Sequence, residues 1–410
     1  MPEGVIRWRI NDKGTAKVPP GIPDFHVDDD AVLEAYRFHS SLPGYEATRL
    51  HRLRALAGCL GIGEVLLKDE STRFGLNAFK GLGGSLAVAK LLSERMAPGD
   101  SRLDFHSLKA YCFQDGHKGR FTFVTATDGN HGRGVAWAAR ILGQKAAVFM
   151  PKGSSKWRYD AIAAEGADVW ITDSNYDDSV RMASSYAHEH GFILVQDQAW
   201  EGYTEIPSLI MQGYLTIMHE IAEEIRGRGL EPPTHVFLQA GVGSFAGSML
   251  ACLEHSMGSK MPVSLVIEPH RAAPIYESAG RPDASMASVG GGLDTIMAGL
   301  ACGEPNPMAW RILKRSADAF ASCSDEVAAL GMRILGNPLS DDPRVVSGES
   351  GAVGAGLLYL LRAHPEKEHK ALVEALGLGP SSRVLLISTE GDTDPERYRQ
   401  IAWEGRWPLT

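Results

Sequence analysis

Apolar and polar residues alternate through the middle of the chain in short blocks whose period changes from that of a strand to that of a helix. The predicted strands are 64–68, 121–127, 146–150, 167–172, 192–197, 235–240, 263–269 and 384–389. The predicted helices are 45–61, 80–95, 131–143, 155–166, 177–191, 207–227 and 244–254. Such alternation with short turns is typical of parallel βαβ units. It predicts an α/β fold with two open, mostly parallel twisted sheets flanked by helices.

The 410 residues are more than one small core needs and favour two domains. The strand–helix alternation from 90 to 204 predicts a small inserted α/β domain. Residues 1–89 and 205–410 are then expected to form a larger, discontinuous domain around it. The polar, proline-containing residues 1–35 are expected to form an irregular arm.

Charge and cysteine content narrow the function classes. The formal net charge is −9 without a Lys/Arg cluster, so nucleic acid is not an expected partner. The N-terminus lacks the apolar segment of a signal peptide and no stretch approaches a membrane span, which predicts a cytoplasmic protein without membrane contact. The five cysteines are scattered, without a C-x-x-C pair, so neither a metal site nor a disulfide framework is expected. One bridge, such as Cys302–Cys323, stays open.

Lys80 stands out because it follows Leu76, Ala78 and Phe79 instead of polar neighbours. An amine in apolar surroundings loses hydration, so its pKa is expected to fall. A neutral amine is what a Schiff-base lysine needs. The alternative is an ordinary lysine at a helix start whose stem packs on Phe79.

Residues 239–247, QAGVGSFAG, follow a predicted strand and open a predicted helix. Glycines 241, 243 and 247 let the backbone curl, so that successive N–H groups and the helix dipole point at an anion. This pattern predicts a phosphate cup. It is neither the dinucleotide-binding G-x-G-x-x-G nor a P-loop, and a tight turn without a ligand is the alternative.

Three further strand ends carry polar residues, and ligands of open parallel sheets bind at such ends. Asp128, Asn130 and His131 follow one strand, and their carboxylate, amide and imidazole suit a small polar substrate, although Asp128 could simply cap the next helix. Asp197 ends another strand and could be a loop acid. Ser388 and Thr389 end a buried strand, where a ring nitrogen or a backbone carbonyl would satisfy their hydroxyls.

Lysine, phosphate cup, polar loop and late hydroxyl occur in one order that resembles the fold-type II pyridoxal-phosphate enzymes, the group of tryptophan synthase β and threonine dehydratase. Within this group the chain is similar to the diaminopropionate ammonia-lyase family. The resemblance rests on STRFGLNAFK (71–80), TDGNHGRG (127–134), DQAWEGY (197–203) and STEGDTDP (388–395). It covers nearly the whole chain, and the four motifs together are specific.

The resemblance implies a role for each matching residue. Lys80 would hold pyridoxal 5′-phosphate covalently, and Asn130 would lie beside its 3′-oxygen. The phosphate loop would comprise Gly241, Val242, Gly243 and Ser244. Ser388 would face the pyridine nitrogen, with Thr389 as the competing choice. Asp128 would bind the substrate's second ammonium or act as a base, and His131 and Asp197 are lesser candidates for substrate contact.

Two departures from the dehydratases matter. Their run of four glycines is Ala240-Gly241-Val242-Gly243 here, which keeps the backbone donors. Their serine is Asp128 here, and a carboxylate would repel a substrate carboxylate and attract an ammonium. A 2,3-diamino acid carries that second ammonium.

The implied activity is α,β-elimination of D- and L-2,3-diaminopropionate to pyruvate and two ammonia, a step in amino-acid catabolism, by a homodimeric lyase. A serine or threonine dehydratase is the nearest alternative, and a cysteine-synthase-like β-replacement is another. From a different class, a nucleotide-binding regulatory α/β protein could hold a nucleotide phosphate at 239–247.

Overall fold

The computed structural model describes residues 4–96, 104–364 and 367–409. The strands in this part of the chain are β1 Ile6–Ile10, β2 Leu50–Arg52, β3 Glu64–Asp69, β4 Thr122–Ala126, β5 Lys145–Met150, β6 Asp168–Ile171, β7 Ile193–Leu194, β8 His235–Gln239, β9 Val263–Pro269, β10 Ala319–Cys323 and β11 Arg383–Ser388.

The helices are α1 Asp29–Ser41, α2 Arg54–Leu60, α3 Lys80–Met96, α4 Phe105–Cys112, α5 Asn130–Ile141, α6 Lys156–Ala163, α7 Tyr176–His190, α8 Glu205–Gly227, α9 Ser244–Met257, α10 Pro274–Ala279, α11 Pro307–Ser316, α12 Asp325–Gly336, α13 Glu349–Ala363, α14 Lys367–Leu376 and α15 Pro395–Ala402. A 3-10 turn, Glu70–Gly75, leads into α3.

Two sheets organise these elements. A seven-stranded sheet has the order β1-β10-β9-β8-β11-β3-β2, and a four-stranded sheet has the order β6-β5-β4-β7. All pairings are parallel except those of the edge strands β1 and β2. Because helices cover both faces, the central strands are buried and apolar, as in β8 and β11. The predicted α/β fold with two open, mostly parallel sheets is confirmed.

The sequence prediction is wrong at the two antiparallel edges. Residues 6–10, expected in an irregular arm, pair with β10. The helix expected over 45–61 is shorter, because Leu50–Arg52 pairs with β3 before α2 begins at Arg54. In both places cross-strand hydrogen bonds replace the expected local structure, and a partner distant in the chain leaves little local signal.

The helix that begins with Lys80 packs by backbone contact against two neighbours. A Cβ atom on Gly134 of α5 would lie 3.0 Å from the Gly81 Cα atom, and one on Gly213 of α8 would lie 2.6 Å from the Leu82 carbonyl oxygen. Only glycine permits so close an approach. This glycine seam, defined by Gly81, Gly134 and Gly213, fixes the start of α3 between the two sheets.

The four-stranded sheet is built from residues 122–194, which lie between β3 and β8 in the sequence. The division into 1–89 with 205–410 and 90–204 stays a prediction, and α3 runs across position 89. In the described part of the chain, no helix combines the length and apolar character needed to cross a bilayer.

Candidate active site

A cavity lies where the carboxyl ends of the two sheets face each other. Most of the residues predicted for the site line it, namely Lys80, Asp128, Asn130, His131, Asp197, Gly241, Val242, Gly243, Ser244 and Thr389. They come from strand ends far apart in the sequence. The parallel topology collects them at one edge, as expected for open α/β sheets.

Lys80 is the first residue of α3, and its side chain reaches into the cavity with 17 % of its surface exposed. Its Nζ atom forms an ion pair with the Asp197 carboxylate and lies 5.6 Å from the centre of the Phe79 ring. Burial opposes the charge, but Asp197 and Tyr214 outweigh it and raise the pKa of Lys80 above its usual value. The expected fall in this pKa is therefore wrong, because a carboxylate faces the amine.

Asp197 is almost fully buried behind Lys80. Burial favours its neutral form, but the positive charge of Lys80 and the hydrogen bond that Lys80 donates prevail and lower the pKa of Asp197 to about 2. Its backbone carbonyl accepts a hydrogen bond of 2.6 Å from the Ser244 hydroxyl. Asp197 is thus fixed to the segment that forms the cup, and it is more than an exposed loop acid.

The predicted phosphate cup joins β8 to α9. Gly243 has φ +96°, a left-handed conformation that favours glycine, and it precedes the first residue of α9. A Cβ atom on Gly241 would lie 3.1 Å from the Leu300 Cα atom, so a side chain there would crowd the wall. The first N–H groups of a helix have no partner within the helix and can bind an anion. The Ser244 hydroxyl already donates to the Asp197 carbonyl oxygen. Ser244 can therefore bind an anion through its backbone N–H.

The loop between β4 and α5 carries three predicted residues. The Asn130 side chain donates a hydrogen bond of 2.5 Å to the Glu390 carboxylate. The His131 Nε2 atom lies 2.9 Å from the Val195 carbonyl oxygen, to which it donates, while its Nδ1 atom is buried without a partner. Burial lowers the pKa of His131, so the imidazole is neutral.

Asp128 lies beside a buried arginine that sequence reasoning missed. Its carboxylate is 3.5 Å from the Arg158 guanidinium, and Arg158 in turn lies 3.9 Å from the Glu349 carboxylate. Burial raises the pKa of Asp128 to about 6, against the opposing effect of Arg158. Burial likewise raises the pKa of Glu349 to about 7. The charges of Glu390 and Asp394 also act on Arg158, and Arg397 acts on Glu349 as well.

The two candidate hydroxyls at the end of β11 have different surroundings. Ser388 is fully buried outside the cavity and donates a hydrogen bond of 2.8 Å to the Ser347 hydroxyl. Thr389 lines the cavity and accepts a hydrogen bond of 2.8 Å from the Gln239 amide. Within the described ranges its own hydroxyl proton has no acceptor. The geometry therefore favours Thr389 over Ser388, the reverse of the expected preference.

Sequence reasoning missed several residues around this cavity. Tyr176, Gln239, Cys302 and Glu390 line it. Glu390 lies inside the STEGDTDP motif and could have been found there. Gln239 opens the QAGVGSFAG stretch and could likewise have been found, whereas Tyr176 and Cys302 lie in sequence that carries no local signal.

The residues of the cavity fit pyridoxal phosphate. The Lys80 amine would hold the aldehyde, the backbone curled at Gly241 and Gly243 would take the phosphate, and Asn130 and Thr389 would contact the ring. The buried, unpartnered His131 Nδ1 atom indicates that the cavity wall is built for a polar guest. Among the described residues no His, Cys, Asp or Glu group is arranged to hold a metal ion.

Comparison with known proteins agrees with this chemistry. The profile of the family described as "Pyridoxal-phosphate dependent enzyme" matches residues 42–377. The diaminopropionate ammonia-lyase of Escherichia coli (strain K12) is 51 % identical over 372 residues, which are 91 % of each chain. That of Salmonella typhimurium is 50 % identical over 374 residues, 91 % of this chain and 92 % of the relative.

Solved structures match over nearly the full length. The E. coli diaminopropionate ammonia-lyase in complex with an aminoacrylate-PLP azomethine reaction intermediate has a TM-score of 0.87 at 46 % identity, covering 99 % of this chain and 98 % of that one. A threonine deaminase from Solanum lycopersicum shares the fold at a TM-score of 0.67 and 18 % identity, covering 95 % and 99 % of the two chains. The chain therefore belongs to the pyridoxal-phosphate-dependent enzymes and, within them, to the diaminopropionate ammonia-lyases.

Proposed function

We propose that the protein catalyses the pyridoxal-phosphate-dependent α,β-elimination of D- and L-2,3-diaminopropionate. Substrate and one water give pyruvate and two ammonia. The observation that carries the proposal is the presence of two carboxylates, Asp128 and Asp197, in the same cavity as Lys80. Two anionic positions beside a cofactor lysine suit a substrate with two amines.

Lys80 has two tasks in this proposal. Its Nζ atom holds the cofactor and, once the substrate amine has replaced it, takes the α-proton of the L isomer. Bound pyridoxal phosphate supplies an electron sink for the negative charge that develops on the α-carbon. Asp197 fixes the direction of the amine through their ion pair.

Asp197 loses its cationic partner when the Lys80 amine reacts. A lysine that has lost its positive charge leaves the buried carboxylate without its partner. A substrate ammonium would restore the pairing, because an unpaired buried charge is costly. The neutral His131 Nδ1 atom offers a second acceptor nearby for the same ammonium. Ammonia would leave from this side of the cavity.

Asp128 is the proposed base for the D isomer. It lines the cavity from the loop after β4, whereas Lys80 enters from the start of α3. A pKa of about 6 suits a proton acceptor at neutral pH. Two bases on different elements would let one site process both isomers.

Thr389 is the proposed partner of the pyridine nitrogen. Its hydroxyl lines the cavity and accepts from Gln239, so its own proton points to a further acceptor. A hydroxyl donates a hydrogen bond without protonating the ring. This hydrogen bond from Thr389 would favour prompt loss of the β-amine from the substrate.

A serine or threonine dehydratase is the second candidate, because the cofactor machinery is shared. The test is an assay of pyruvate formed from D- and L-2,3-diaminopropionate and from L-serine, and of 2-oxobutyrate formed from L-threonine. We expect kcat/KM for diaminopropionate to exceed that for serine by about 10²-fold or more, since carboxylates placed for an ammonium gain nothing from a hydroxyl. Comparable values would favour the dehydratase.

Absorption spectra test the cofactor site directly. We expect the purified protein to be yellow and to keep its chromophore covalently bound after borohydride treatment. The Lys80→Ala variant should hold no covalently bound chromophore after the same treatment. A colourless wild-type protein that binds nucleotide would support the regulatory alternative. The requirement for a second substrate would reveal a β-replacement enzyme.

We also propose that the protein is a cytoplasmic homodimer with the domain division predicted above. Among the described residues the five cysteines form no disulfide, and four of them are buried, which suits a reducing compartment. The family resemblance favours a homodimer. Sedimentation velocity would test the dimer, and limited proteolysis near 90 and 204 would test the division.

A further inference from the structure

Arg158 occupies an unusual place for a charged side chain. Only 6 % of its side chain is exposed, although it comes from the surface helix α6. It does not line the cavity with Lys80. It lines a second cavity, and Asp128 lines both. The guanidinium therefore reaches the Asp128 carboxylate from the side away from Lys80.

The contacts of Arg158 hold it in that place. Its Nη2 atom donates a hydrogen bond of 3.4 Å to the Thr393 hydroxyl and lies 3.9 Å from Glu349. Its stem supports the site loop, since a Cβ atom on Gly129 would lie 2.9 Å from the Arg158 Cδ atom. The Nε atom is buried and has no hydrogen-bond partner in the described parts of the chain. Burying an arginine with an unsatisfied donor costs stability, so its presence here points to a role in the site.

The groups that face Asp128 come from several elements. Those that act on its charge or feel it are Arg158 from α6, Lys80 from α3, Tyr176 from α7, Glu390 after β11 and Cys302. Lys80 is already paired with Asp197. Arg158 is thus the remaining cation that can hold the Asp128 carboxylate, and it does so against Glu390.

We propose that Arg158 is a positioning residue that keeps Asp128 ionised and directed into the cavity for the reaction of the D isomer. The inference rests on the proposed function, because Asp128 acts as a base only there. Because Arg158 is shared with Glu349 and Glu390, it supplies enough charge to keep the base ionised near neutral pH while leaving it basic enough to accept a proton.

The test is the pH dependence of kcat/KM for each isomer in wild type, R158M, R158K and R140M. The acid limb of the D-isomer profile should lie near pH 6 in wild type. In R158M it should rise by about one pH unit or more, since an opposite charge at this distance shifts a carboxyl by that amount. At pH 7 a rise of one unit should lower kcat/KM for the D isomer about twofold, and the loss should approach tenfold below about pH 6. The L-isomer profile, which depends on Lys80, should keep its acid limb.

The control variants separate charge from folding. R158K retains the cation and should move the limb by less than half as much as R158M. R140M removes an arginine that pairs with Glu165 on the half-exposed face of α5 and should leave both profiles unchanged. An unmoved D-isomer limb in R158M overturns the proposal. So does an equal rise in KM for both isomers, which would show Arg158 to bind the substrate carboxylate.

A second measurement does not need catalysis. The Asp128 carboxyl can be titrated by NMR in cofactor-free protein carrying labelled aspartate, with D128N to assign the signal. The titration midpoint should be higher in R158M than in wild type, and E349Q, which removes a competing carboxylate, should lower it. Unchanged midpoints overturn the inference even if elimination is observed. Failure of the wild type to convert diaminopropionate, with shifted midpoints, would instead sink the proposed function alone.

Discussion

Two clusters of buried charge lie close to the ends of the segment 68–80, and they differ in balance. The first joins Lys68 and Arg73 to Glu70 and Glu220 and is closed to solvent. Each cation meets a carboxylate: Lys68 Nζ lies 2.5 Å from Glu220, and Arg73 donates to both acids at 2.7–2.8 Å. Two positive charges meet two negative ones.

The second cluster, around Arg158, is unbalanced. Arg158 acts on Asp128, Glu349, Glu390 and Asp394, with Arg397 as a second cation for Glu349, and the distances from Arg158 to Asp128 and Glu349 are 3.5 and 3.9 Å. Buried atoms of Arg158, Asp128 and Glu349 lack hydrogen-bond partners, whereas the first cluster has no such atom among the described residues. Complete pairing is typical of a structural role, because every buried charge has a partner and none is left to react. Incomplete pairing leaves a carboxyl able to exchange a proton.

The largest effect is expected from breaking the balanced cluster. Glu220→Ala leaves Lys68 and Arg73 buried without one of their acids, so we expect the free energy of unfolding to fall by about 3–5 kcal/mol. Urea unfolding followed by circular dichroism measures this. Glu223→Ala removes an exposed acid paired with Arg226 and should change it by less than about 0.5 kcal/mol. Similar losses in the two variants would contradict the assignment of a structural role.

A smaller effect on stability, but a large one on catalysis, is expected from Asp128→Asn. Arg158 keeps Glu349 and Glu390 as partners, so the free energy of unfolding should change by less than about 1 kcal/mol. Loss of the base should lower kcat for the D isomer by about 10²–10⁴-fold and affect the L isomer less. Equal loss for both isomers would indicate that Asp128 only binds substrate.

A further effect is expected in the pH dependence of stability. The pKa of Glu349 is about 7 in the folded protein against 4.5 ordinarily, so the folded state binds its proton more tightly than the unfolded chain. This contribution is present below about pH 4.5 and is lost as pH rises towards 7. Glu349→Gln should flatten that part of the curve in denaturant titrations at several pH values. An unchanged slope would show that Glu349 has the same pKa in the folded and unfolded states.

The sequence predicts the parallel strands other than β10, and most of the site, because their signals are local. Strand β3 and helix α3 occur as expected, and Lys80, Asn130 and Gly243 line one cavity because strand ends of parallel sheets converge. Arg158 carries no such signal, since its role depends on acids that lie hundreds of positions away or in another loop. The same holds for β1, whose partner β10 is distant in the chain.

The protonation of Lys80 shows a second limit. Apolar neighbours in sequence suggested a neutral amine, but Asp197, which lies far along the chain, keeps it charged. Likewise, Ser388 and Thr389 alternate along one strand end, and only the three-dimensional arrangement shows which hydroxyl faces the cavity. Charge and side-chain direction are tertiary properties, so local text does not determine them.

The glycine seam has a consequence for how chemistry diversifies on this scaffold. Because Gly81 meets Gly134 main chain to main chain, the separation between the lysine and the loop carrying Asp128 is independent of side-chain size in either core. Residues at the strand tips can then be exchanged, changing which leaving group is accepted, while the cofactor anchor stays in register. The glycine seam therefore keeps the distance between Lys80 and the Asp128 loop constant while the residues that set specificity change.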